Sequence, residues 1–521
     1  MELHLNANAE RLTADALQGG TARPEPSVPA LPWSRLQRAI GCLLALMLIL
    51  RLGAMAALPL MDTTEARYGE IGRKMAAMGD WVTPWYDVGV PFWGKPPLSF
   101  WATAASMRWL GINEFAARLP HLLFGGLVAA LVWQFARCRG GVREALLGLA
   151  MLCGSTLFFV SVGAVMTDTA MVFCTTAALY SFWFALHGAG AAERRLHGWM
   201  FFVAMGLGLL AKGPVAVVLA GLPILLWLSL QKRWREGWQA LPWVRGSLVA
   251  LAVAAPWYWL AEQRTPGFLN YFIIGEHWHR FVTPGWSGDQ YGHAHQEPIG
   301  TIWVYAWGAL LPWSVLLPGA AWYWRRRAVV DGGDEQASLR QYLWLWALVP
   351  LIFFTAARNI IWTYALPSLP AMALLMARWL LRRSPRAEAW VVAGLAVSLV
   401  GGALGLGRLT LDLHQDDRSA RRLVHAYLAE ARPDEALLYQ DHRPYSASFY
   451  SGGRAGQFAR LDSVPAMLGT HTGYLVIRSK LDLATKLSEA GLLLDHRVCC
   501  FGDEQLLRVR PMAGAASAAG H

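Results

Sequence analysis

Apolar runs of about twenty residues recur along most of this chain and are separated by short loops that contain arginine. A run of that length is what an α-helix needs to cross the hydrocarbon core of a bilayer. Backbone polar groups find no water there, so each run must close its own hydrogen bonds as a helix. The sequence therefore predicts a polytopic α-helical membrane protein with about eleven spans. The predicted spans are 38–58, 118–137, 142–163, 165–187, 198–211, 213–230, 243–262, 299–323, 341–357, 360–381 and 388–407.

The basic residues indicate which way the helices run. The net charge of +11 is compatible with nucleic-acid binding in principle, but lysine and arginine fall in short clusters between the apolar runs. Cytoplasmic loops carry such clusters, so we interpret the charge as membrane topology, with a cytoplasmic amino terminus and no nucleic-acid partner. The clusters are Arg137, Arg139 and Arg143; Arg194 and Arg195; Lys232, Arg233 and Arg235; Arg325, Arg326 and Arg327; and Arg382, Arg383 and Arg386.

The stretch between the first two spans, residues 59–117, is too charged to lie in hydrocarbon, where each unpaired ion costs at least a few kcal/mol. It is predicted to be a large outer loop. Its apolar segment 97–110 is too short to cross the bilayer, and a crossing there would reverse every later loop. We therefore expect that segment and residues 66–78 to form two juxtamembrane helices.

Three domains are predicted. Residues 1–37 form a polar, proline-rich cytoplasmic tail, residues 38–407 the membrane domain, and residues 408–521 a small soluble α/β domain on the outer side. The expected elements of the last domain are strands near 436–439, 474–477 and 506–509, and helices near 420–431 and 483–490.

Two local features complete the organisation. A Lys-Gly-Pro sequence beginning at Lys212 interrupts an apolar stretch, and we expect it to separate two helices that meet at the outer face. The six cysteines do not have the spacing of a disulfide framework and are expected to be free thiols.

With this topology, the unusual polar side chains converge on the outer face of the membrane. Cations there suit an anionic lipid head group, and neighbouring carboxylates suit deprotonation of a hydroxyl. Together they describe a transfer from a lipid phosphate to an alcohol. The residues are Asp62, Glu65, Arg67, Lys95, Asp168, Lys212, Glu276, His277, His279, Arg280, His293, His295, Arg358 and Tyr364.

The motifs also resemble a known family. DTTEARYGEIGRKM, GDWVTPWYDVGVPFWGKPPLSFW and NEFAARLPHLLFG follow one another in the outer loop, and EHWHRF and YALPSLP come later. This order is similar to that of the ArnT-like glycosyltransferases of the GT-C fold, which are related to protein mannosyltransferases. The resemblance covers roughly residues 40–380. It implies a polyprenyl-phosphate sugar donor, an acceptor on the outer side of a bacterial inner membrane, and inversion at the sugar.

The resemblance assigns roles to particular residues. One of Asp62 and Glu65 is expected to take the acceptor proton while Asp168 orients the acceptor. The residues expected to contact the donor phosphate are Arg67, Lys95, Lys212, Arg280 and Tyr364. Two positions depart from the family pattern: Thr64 replaces the Asp that commonly precedes Glu-Ala-Arg-Tyr, and Gly94 replaces a Glu that often precedes the lysine.

Each assignment has a simpler structural alternative. Asp62 can cap a surface helix with Glu65 three positions on, and Arg67 can pair with a loop carboxylate. Lysine, arginine and tyrosine at these places can also be interfacial anchors. No cofactor is required, although a divalent metal is an alternative on the two His-x-His pairs. The candidate ligands are Glu276, His277, His279, His293 and His295.

The expected partners are a polyprenyl-phosphate-linked sugar, an envelope acceptor such as lipid A, and the membrane lipids. A protein O-mannosyltransferase-like enzyme that acts on proteins is the alternative within the same fold. A lipid-linked sugar transporter is the alternative of another class, but transporters place binding groups near mid-membrane on repeated halves, and this chain has no evident repeat. A non-catalytic scaffold leaves the collection of acids and bases unexplained.

Overall fold

The computed structural model describes residues 33–292, 295–316, 333–412, 418–478, 483–501 and 503–512. Most of the predicted tail 1–37, the cluster Arg325 to Arg327, and His293 lie outside these ranges. The described chain is mainly helical, with a two-stranded hairpin in the first loop and a five-stranded sheet near the carboxyl end.

The helices of the membrane part follow the predicted spans closely. They are α1 (Arg35–Ala57), α2 (Thr64–Met78), α3 (Leu98–Leu110), α4 (Glu114–Cys153), α5 (Thr156–Ser161), α6 (Asp168–His187), α7 (Ala191–Lys212), α8 (Pro214–Gln231), α9 (Trp234–Ala240), α10 (Trp243–Arg264), a π-helical segment (Asn270–His279), α11 (Arg280–Val282), α12 (Thr301–Ala309), a 3₁₀ turn (Trp313–Leu316), α13 (Gly333–Thr355), a 3₁₀ segment (Trp362–Ser368), α14 (Leu369–Arg383) and α15 (Ala387–Asp412).

Eight helices in the described residues are long and apolar enough to cross a membrane. One of them, the 40-residue α4, covers predicted span 118–137 and the start of 142–163, and its backbone breaks between them at Gly141, where φ is 83°. The span predicted at 198–211 lies in the 22-residue α7. Of the span predicted at 299–323, the structure describes residues up to 316; in that part α12 is followed by the 3₁₀ turn, and Pro312 between them lacks the N–H that would continue the helix.

Local signals explain where several helices begin. Ser34 and Gln37 form a reciprocal capping box at the start of α1, and the Asn113 side chain accepts a hydrogen bond from the Ala116 amide at the start of α4. The predicted Lys-Gly-Pro break is confirmed. Gly213 has φ 76° and Pro214 begins α8, so α7 ends at Lys212 and leaves its side chain at a helix terminus.

The first loop folds as a compact layer. Helices α2 and α3 confirm the two expected juxtamembrane helices, and a short hairpin joins β1 (Trp85–Asp87) to β2 (Val90–Pro91). The two helices pack so closely at Gly72 that a Cβ there would lie 2.7 Å from the Thr103 Cγ2 atom. The layer has its own apolar core, which includes Phe449 from the carboxyl-terminal part of the chain.

The carboxyl-terminal part contains a mixed sheet with the strand order β4-β3-β5-β7-β6. Strand β3 is parallel to β4 and β5, whereas β7 is antiparallel to β5 and β6. All three expected strands and both expected helices are present; two strands, short helices beginning at Tyr445 and Val464, and a 3₁₀ turn are additional. The elements are α16 (Arg421–Glu430), β3 (Ala436–Gln440), α17 (Tyr445–Tyr450), β4 (Ala455–Phe458), a 3₁₀ turn (Leu461–Ser463), α18 (Val464–Leu468), β5 (Gly473–Arg478), α19 (Ala484–Glu489), β6 (Leu492–Phe501) and β7 (Glu504–Pro511). The six cysteines are unpaired, as expected.

Candidate active site

Residues from five separate parts of the chain line one cavity of about 500 Å³. Most of its wall is apolar and comes from α8, the π-helical segment and α13. Three cations and one carboxylate interrupt this wall: Lys95, Lys212, Arg280 and Glu276. Because positive side chains outnumber negative ones at the surface of the cavity, the wall suits an anionic group attached to an apolar chain.

Glu276 organises one side of this cavity. Its carboxylate lies 2.9 Å from the Lys95 Nζ atom and 3.1 Å from an Arg280 nitrogen, and it is 8% exposed. Burial would raise the pKa of Glu276, but the adjacent Lys95 and Arg280 outweigh burial and lower it below its ordinary value. Glu276 lies in the π-helical segment, a rare conformation that often occurs at functional sites.

Lys212 and Asp168 form the other side. The Lys212 Nζ atom lies 2.6 Å from one Asp168 oxygen, and both side chains are buried. The same ammonium group lies 4.9 Å from the centre of the Tyr364 ring, within the range of a cation–π contact. Lys212 lines the first cavity, whereas Asp168, which accepts its hydrogen bond, does not.

A second cavity, of about 640 Å³, lies against the first loop. Glu65 lines it together with Arg51 and Arg118. The Glu65 carboxylate accepts hydrogen bonds from Arg118 at 2.8 and 2.9 Å and from the backbone amides of Met61 and Val165 at 3.1 and 3.2 Å. Burial would raise the pKa of Glu65, but Arg118 and these donors lower it overall, so the carboxylate is ionised and saturated with hydrogen bonds.

A short non-helical segment, residues 162–167, connects residues of the two cavities along the chain. Gly163 and Ala164 line the second cavity, the Val165 amide binds Glu65, and Asp168 begins the helix that carries Met171 to the first cavity. Asp168 therefore lies, in sequence, between residues that line the second cavity and a residue that lines the first.

Two predicted site residues lie elsewhere. Asp62 accepts a hydrogen bond from the Ser446 amide at 3.2 Å and another from the Ser446 hydroxyl, and it lines neither of the two cavities. Burial raises the pKa of Asp62 despite these donors. The expected alternative, a helix cap, is also not formed by Asp62; instead Glu65 accepts from the Met61 amide.

Arg67 is also separate from the first cavity. It donates to the Tyr291 carbonyl and lies over the rings of Tyr68, Phe92 and Tyr445, at 5.3, 5.8 and 5.9 Å. The contact predicted between Arg67 and a donor phosphate is therefore not supported by its position, because these groups enclose its guanidinium.

The histidines do not form a metal centre in the described residues. The two His277 ring nitrogens lie 2.8 and 3.2 Å from the carbonyl oxygens of Phe272 and Lys212, so both nitrogens face the backbone. His279 and His295 are exposed, and His293 lies outside the described residues. The donor set thus does not fit the metal alternative.

Sequence reasoning missed the partners that hold the site together. The sequence places Glu276 among the polar residues of the outer face and among the candidate metal ligands, but does not identify it as the partner of Lys95 and Arg280, and it does not single out Arg118 or Asp289. Arg118 does lie in the motif NEFAARLPH, and that was the signal available. Nothing in the sequence pattern connects Asp289 with Arg280, although their side chains lie 3.1 Å apart.

Comparison with known proteins shows which sequences this chain is similar to. The family model described as dolichyl-phosphate-mannose-protein mannosyltransferase matches residues 43–272. An undecaprenyl phosphate-alpha-4-amino-4-deoxy-L-arabinose arabinosyl transferase from Pseudomonas aeruginosa is 34% identical over 360 residues, which are 67% of this chain and 60% of that protein. The transferase of the same name from Edwardsiella ictaluri is 30% identical over 345 residues, 66% of this chain and 59% of its own. The aligned part of the chain thus spans about 60% of the length of these relatives.

A solved structure identifies the fold. The crystal structure of ArnT from Cupriavidus metallidurans bound to undecaprenyl phosphate superposes with a TM-score of 0.75 over 92% of this chain and 98% of that one, at 21% identity. This chain is ArnT-like in sequence and fold. The resemblance inferred from the motifs is thereby confirmed, and so is the GT-C membrane architecture. The ArnT-like fold extends beyond the membrane helices into the carboxyl-terminal sheet, since the match covers 92% of the chain.

Proposed function

We propose that this protein is a glycosyltransferase that moves a sugar from a polyprenyl phosphate to a hydroxyl group of an envelope acceptor, with inversion. The observation that carries the proposal is the first cavity, where Lys95, Lys212 and Arg280 interrupt an otherwise apolar wall. The Cupriavidus ArnT was crystallised with undecaprenyl phosphate, a lipid with this combination of an anionic head and an apolar chain.

The cations act on the leaving group. When the bond between the anomeric carbon and the phosphate oxygen breaks, its electron pair leaves with the lipid phosphate and adds one negative charge there. Lys95, Lys212 and Arg280 stabilise that charge in a cavity whose wall is otherwise mostly apolar. The acceptor hydroxyl attacks the opposite face of the same carbon, and its proton passes to a carboxylate.

Of the three candidate carboxylates, Asp168 has the most acceptor capacity left for that proton. One of its oxygens accepts from Lys212, and no hydrogen bond to the other is found in the part of the chain that the structure describes. Glu65 already accepts four hydrogen bonds, and Asp62 is bound to Ser446. We therefore assign the base to Asp168 and a supporting position to Glu65, which differs from the sequence hypothesis that Asp168 only orients the acceptor.

The acceptor enters through the second cavity, which is lined in part by Gly163 and Ala164, a few residues before Asp168. The relatives from Pseudomonas and Edwardsiella are named for aminoarabinose, and lipid A or another envelope glycolipid is the acceptor that we propose for this chain. The arginine clusters support a cytoplasmic amino terminus and a periplasmic carboxyl-terminal domain in the inner membrane. The match to the mannosyltransferase family model favours an enzyme acting on protein hydroxyls as the second candidate.

The test is transfer of a radiolabelled sugar from undecaprenyl phosphate by purified protein in detergent, with lipid A and an unstructured serine-rich peptide as parallel acceptors. Labelled lipid A supports the proposal, and labelled peptide alone supports the second candidate. Transfer needs no sealed vesicle. If label moves only across sealed proteoliposomes and no acceptor becomes labelled, the protein is a transporter and the proposal is wrong.

A further inference from the structure

The carboxyl-terminal part of the chain docks directly on the first loop. Helix α17 packs against α2, and Ser446 holds Asp62 from the first residues of that helix. At the other end of α17, the Tyr450 hydroxyl accepts from the Leu60 amide at 2.7 Å and donates to Glu114 at 3.0 Å. The docked surface is thus tied by hydrogen bonds at both ends of one short helix.

Tyr445, the first residue of α17, reaches the aromatic groups that surround Arg67. Its hydroxyl is hydrogen-bonded to the Tyr86 hydroxyl, and its ring lies 5.6 Å from that of Tyr86 and 5.9 Å from the Arg67 guanidinium carbon. Arg67 is a cation in the first loop, but one of the ring faces that stabilise it belongs to α17. Removing that ring leaves Arg67 with fewer favourable contacts.

A series of contacts connects Arg67 with the first cavity. Arg67 donates to the Tyr291 carbonyl, the Tyr291 amide donates to one Asp289 oxygen at 3.0 Å, and the other Asp289 oxygen lies 3.1 Å from Arg280. The Tyr291 hydroxyl also donates to the Pro91 carbonyl at 2.8 Å, which fixes this loop on the hairpin. Arg280 lines the first cavity.

We propose that Tyr445 is a positioning residue that holds Arg280 in place for the lipid phosphate. The connection runs through Arg67, Tyr291 and Asp289, and we call these five residues the docking relay. The inference rests on the proposed function, because Arg280 has a phosphate to bind only if the donor is a lipid phosphate. The docking relay gives the carboxyl-terminal domain an indirect role in binding the sugar donor, because Tyr445 acts through residues of the membrane domain.

The physical reason is the geometry of Arg280. Its guanidinium is shared between Glu276 on its own segment and Asp289 on the following loop. If the loop at Asp289 shifts, Glu276 alone orients the Arg280 guanidinium. The N–H groups that this guanidinium presents to the cavity then rotate with it. A bidentate cation loses much of its affinity for phosphate when its plane is turned.

The binding experiment measures undecaprenyl phosphate affinity in detergent for the wild type, Tyr445→Leu and Tyr474→Phe. Tyr474 lies in the same domain, and its hydroxyl has no hydrogen-bond partner among the residues that the structure describes, so its loss is the matched control. Tyr445→Leu is expected to weaken binding roughly 3- to 30-fold. Tyr445→Phe, which keeps the ring over Arg67, should recover most of that loss, whereas the control should bind like the wild type.

A double-mutant cycle tests whether the effect passes through Asp289. If it does, Tyr445→Leu combined with Asp289→Asn will bind no more weakly than the weaker single variant. In the transfer assay Tyr445→Leu should raise the KM for the sugar donor more than it lowers kcat, which general unfolding would not do. Wild-type affinity in Tyr445→Leu, or fully multiplicative losses in the double variant, overturns the relay.

Hydrogen exchange separates the relay from the proposed function. Amide exchange in residues 286–292 should become faster in Tyr445→Leu than in Tyr474→Phe, with or without lipid, because the loop loses its tie to α17. Unchanged exchange there overturns the relay even if the donor binds. Failure of the wild type to bind undecaprenyl phosphate instead overturns the proposed function, and the exchange result still decides the relay.

Discussion

The two cavities of this protein both contain arginine and carboxylate, but they use them differently. In the second cavity, Arg118 donates to Glu65 and to the carbonyl oxygens of Met55, Leu58 and Pro59, so it satisfies the end of α1 and has little capacity left for a ligand. In the first cavity, Lys95 and Arg280 share Glu276 and face open space. A cation in a cavity therefore indicates a ligand only where its N–H groups are not already hydrogen-bonded to the protein.

The largest effect is expected at Asp168. If it takes the acceptor proton, Asp168→Asn should lower kcat by roughly 10²- to 10⁴-fold. Donor affinity should fall much less, because the amide oxygen still accepts from Lys212. The measurement is sugar transfer at saturating donor, with Asp462→Asn on the exposed surface as control. A Glu65→Gln variant that loses more turnover than Asp168→Asn would reverse our assignment of the base.

A slightly smaller effect is expected when one cation of the first cavity is removed. Lys95→Ala should lower transfer by about 100-fold or more and weaken undecaprenyl phosphate binding, since one charge opposite the leaving phosphate is lost. Lys486→Ala, at an exposed position in α19, is the matched control. If Lys95→Ala and Lys486→Ala bind the lipid equally well, the first cavity is not the donor site.

In the second cavity the main loss should be stability. Arg118→Met leaves Glu65 buried without its cation, and breaking a buried pair from one side costs about 3–5 kcal/mol of unfolding free energy. The double variant Arg118→Met with Glu65→Gln should recover part of that loss, because no charge is left unpaired. Thermal unfolding in detergent measures both. Additive losses in the double variant would show that the pair is not the source of the effect.

The pH dependence tests both cavities together. The pKa values of Glu65 and Glu276 are lowered in the folded protein, so both stabilise it above the ordinary glutamate pKa of about 4.3, and this contribution is lost as the pH falls through their folded values. Thermal stability should therefore stay nearly level between pH 8 and about 5 and decline below that. Glu276→Gln should be less stable at neutral pH and decline less steeply in acid; an equally steep decline would assign the acid sensitivity to other groups.

The smallest effect is expected at Tyr364. The ring contributes a cation–π contact to Lys212, so Tyr364→Leu should weaken donor affinity by about 3-fold, and Tyr364→Phe by less. A loss above tenfold in Tyr364→Phe would instead mean that the hydroxyl touches the donor. Binding of undecaprenyl phosphate at constant detergent concentration measures the difference.

The architecture was largely predictable because it follows from short stretches of chain. Apolar length predicted the helices, Gly213 and Pro214 predicted the break between α7 and α8, and apolar runs predicted β3, β5 and β7. Strand β6 was missed because its pairing with β7 contains two register irregularities and its sequence mixes charged and apolar residues without regular alternation. Helix α17 is only six residues long and was missed for lack of a periodic pattern.

The candidate site was predictable as a set of residue types but not as a set of contacts. Lys95, Lys212, Arg280 and Tyr364 do line one cavity, whereas Arg67 and Asp62 resemble them in sequence context and serve other contacts. Residues as distant in sequence as Lys95 and Glu276, which are 181 positions apart, meet only because helices and loops pack in one particular way.

The sequence by itself determined that this chain crosses a membrane and carries a charged loop beyond it, since hydropathy and charge act locally on each segment. Only the tertiary structure decided which charges remain available to a ligand. That depends on how each cation divides its N–H groups between distant partners: Arg118 donates to Glu65 and to the last turn of α1, whereas Arg280 remains at the wall of a cavity.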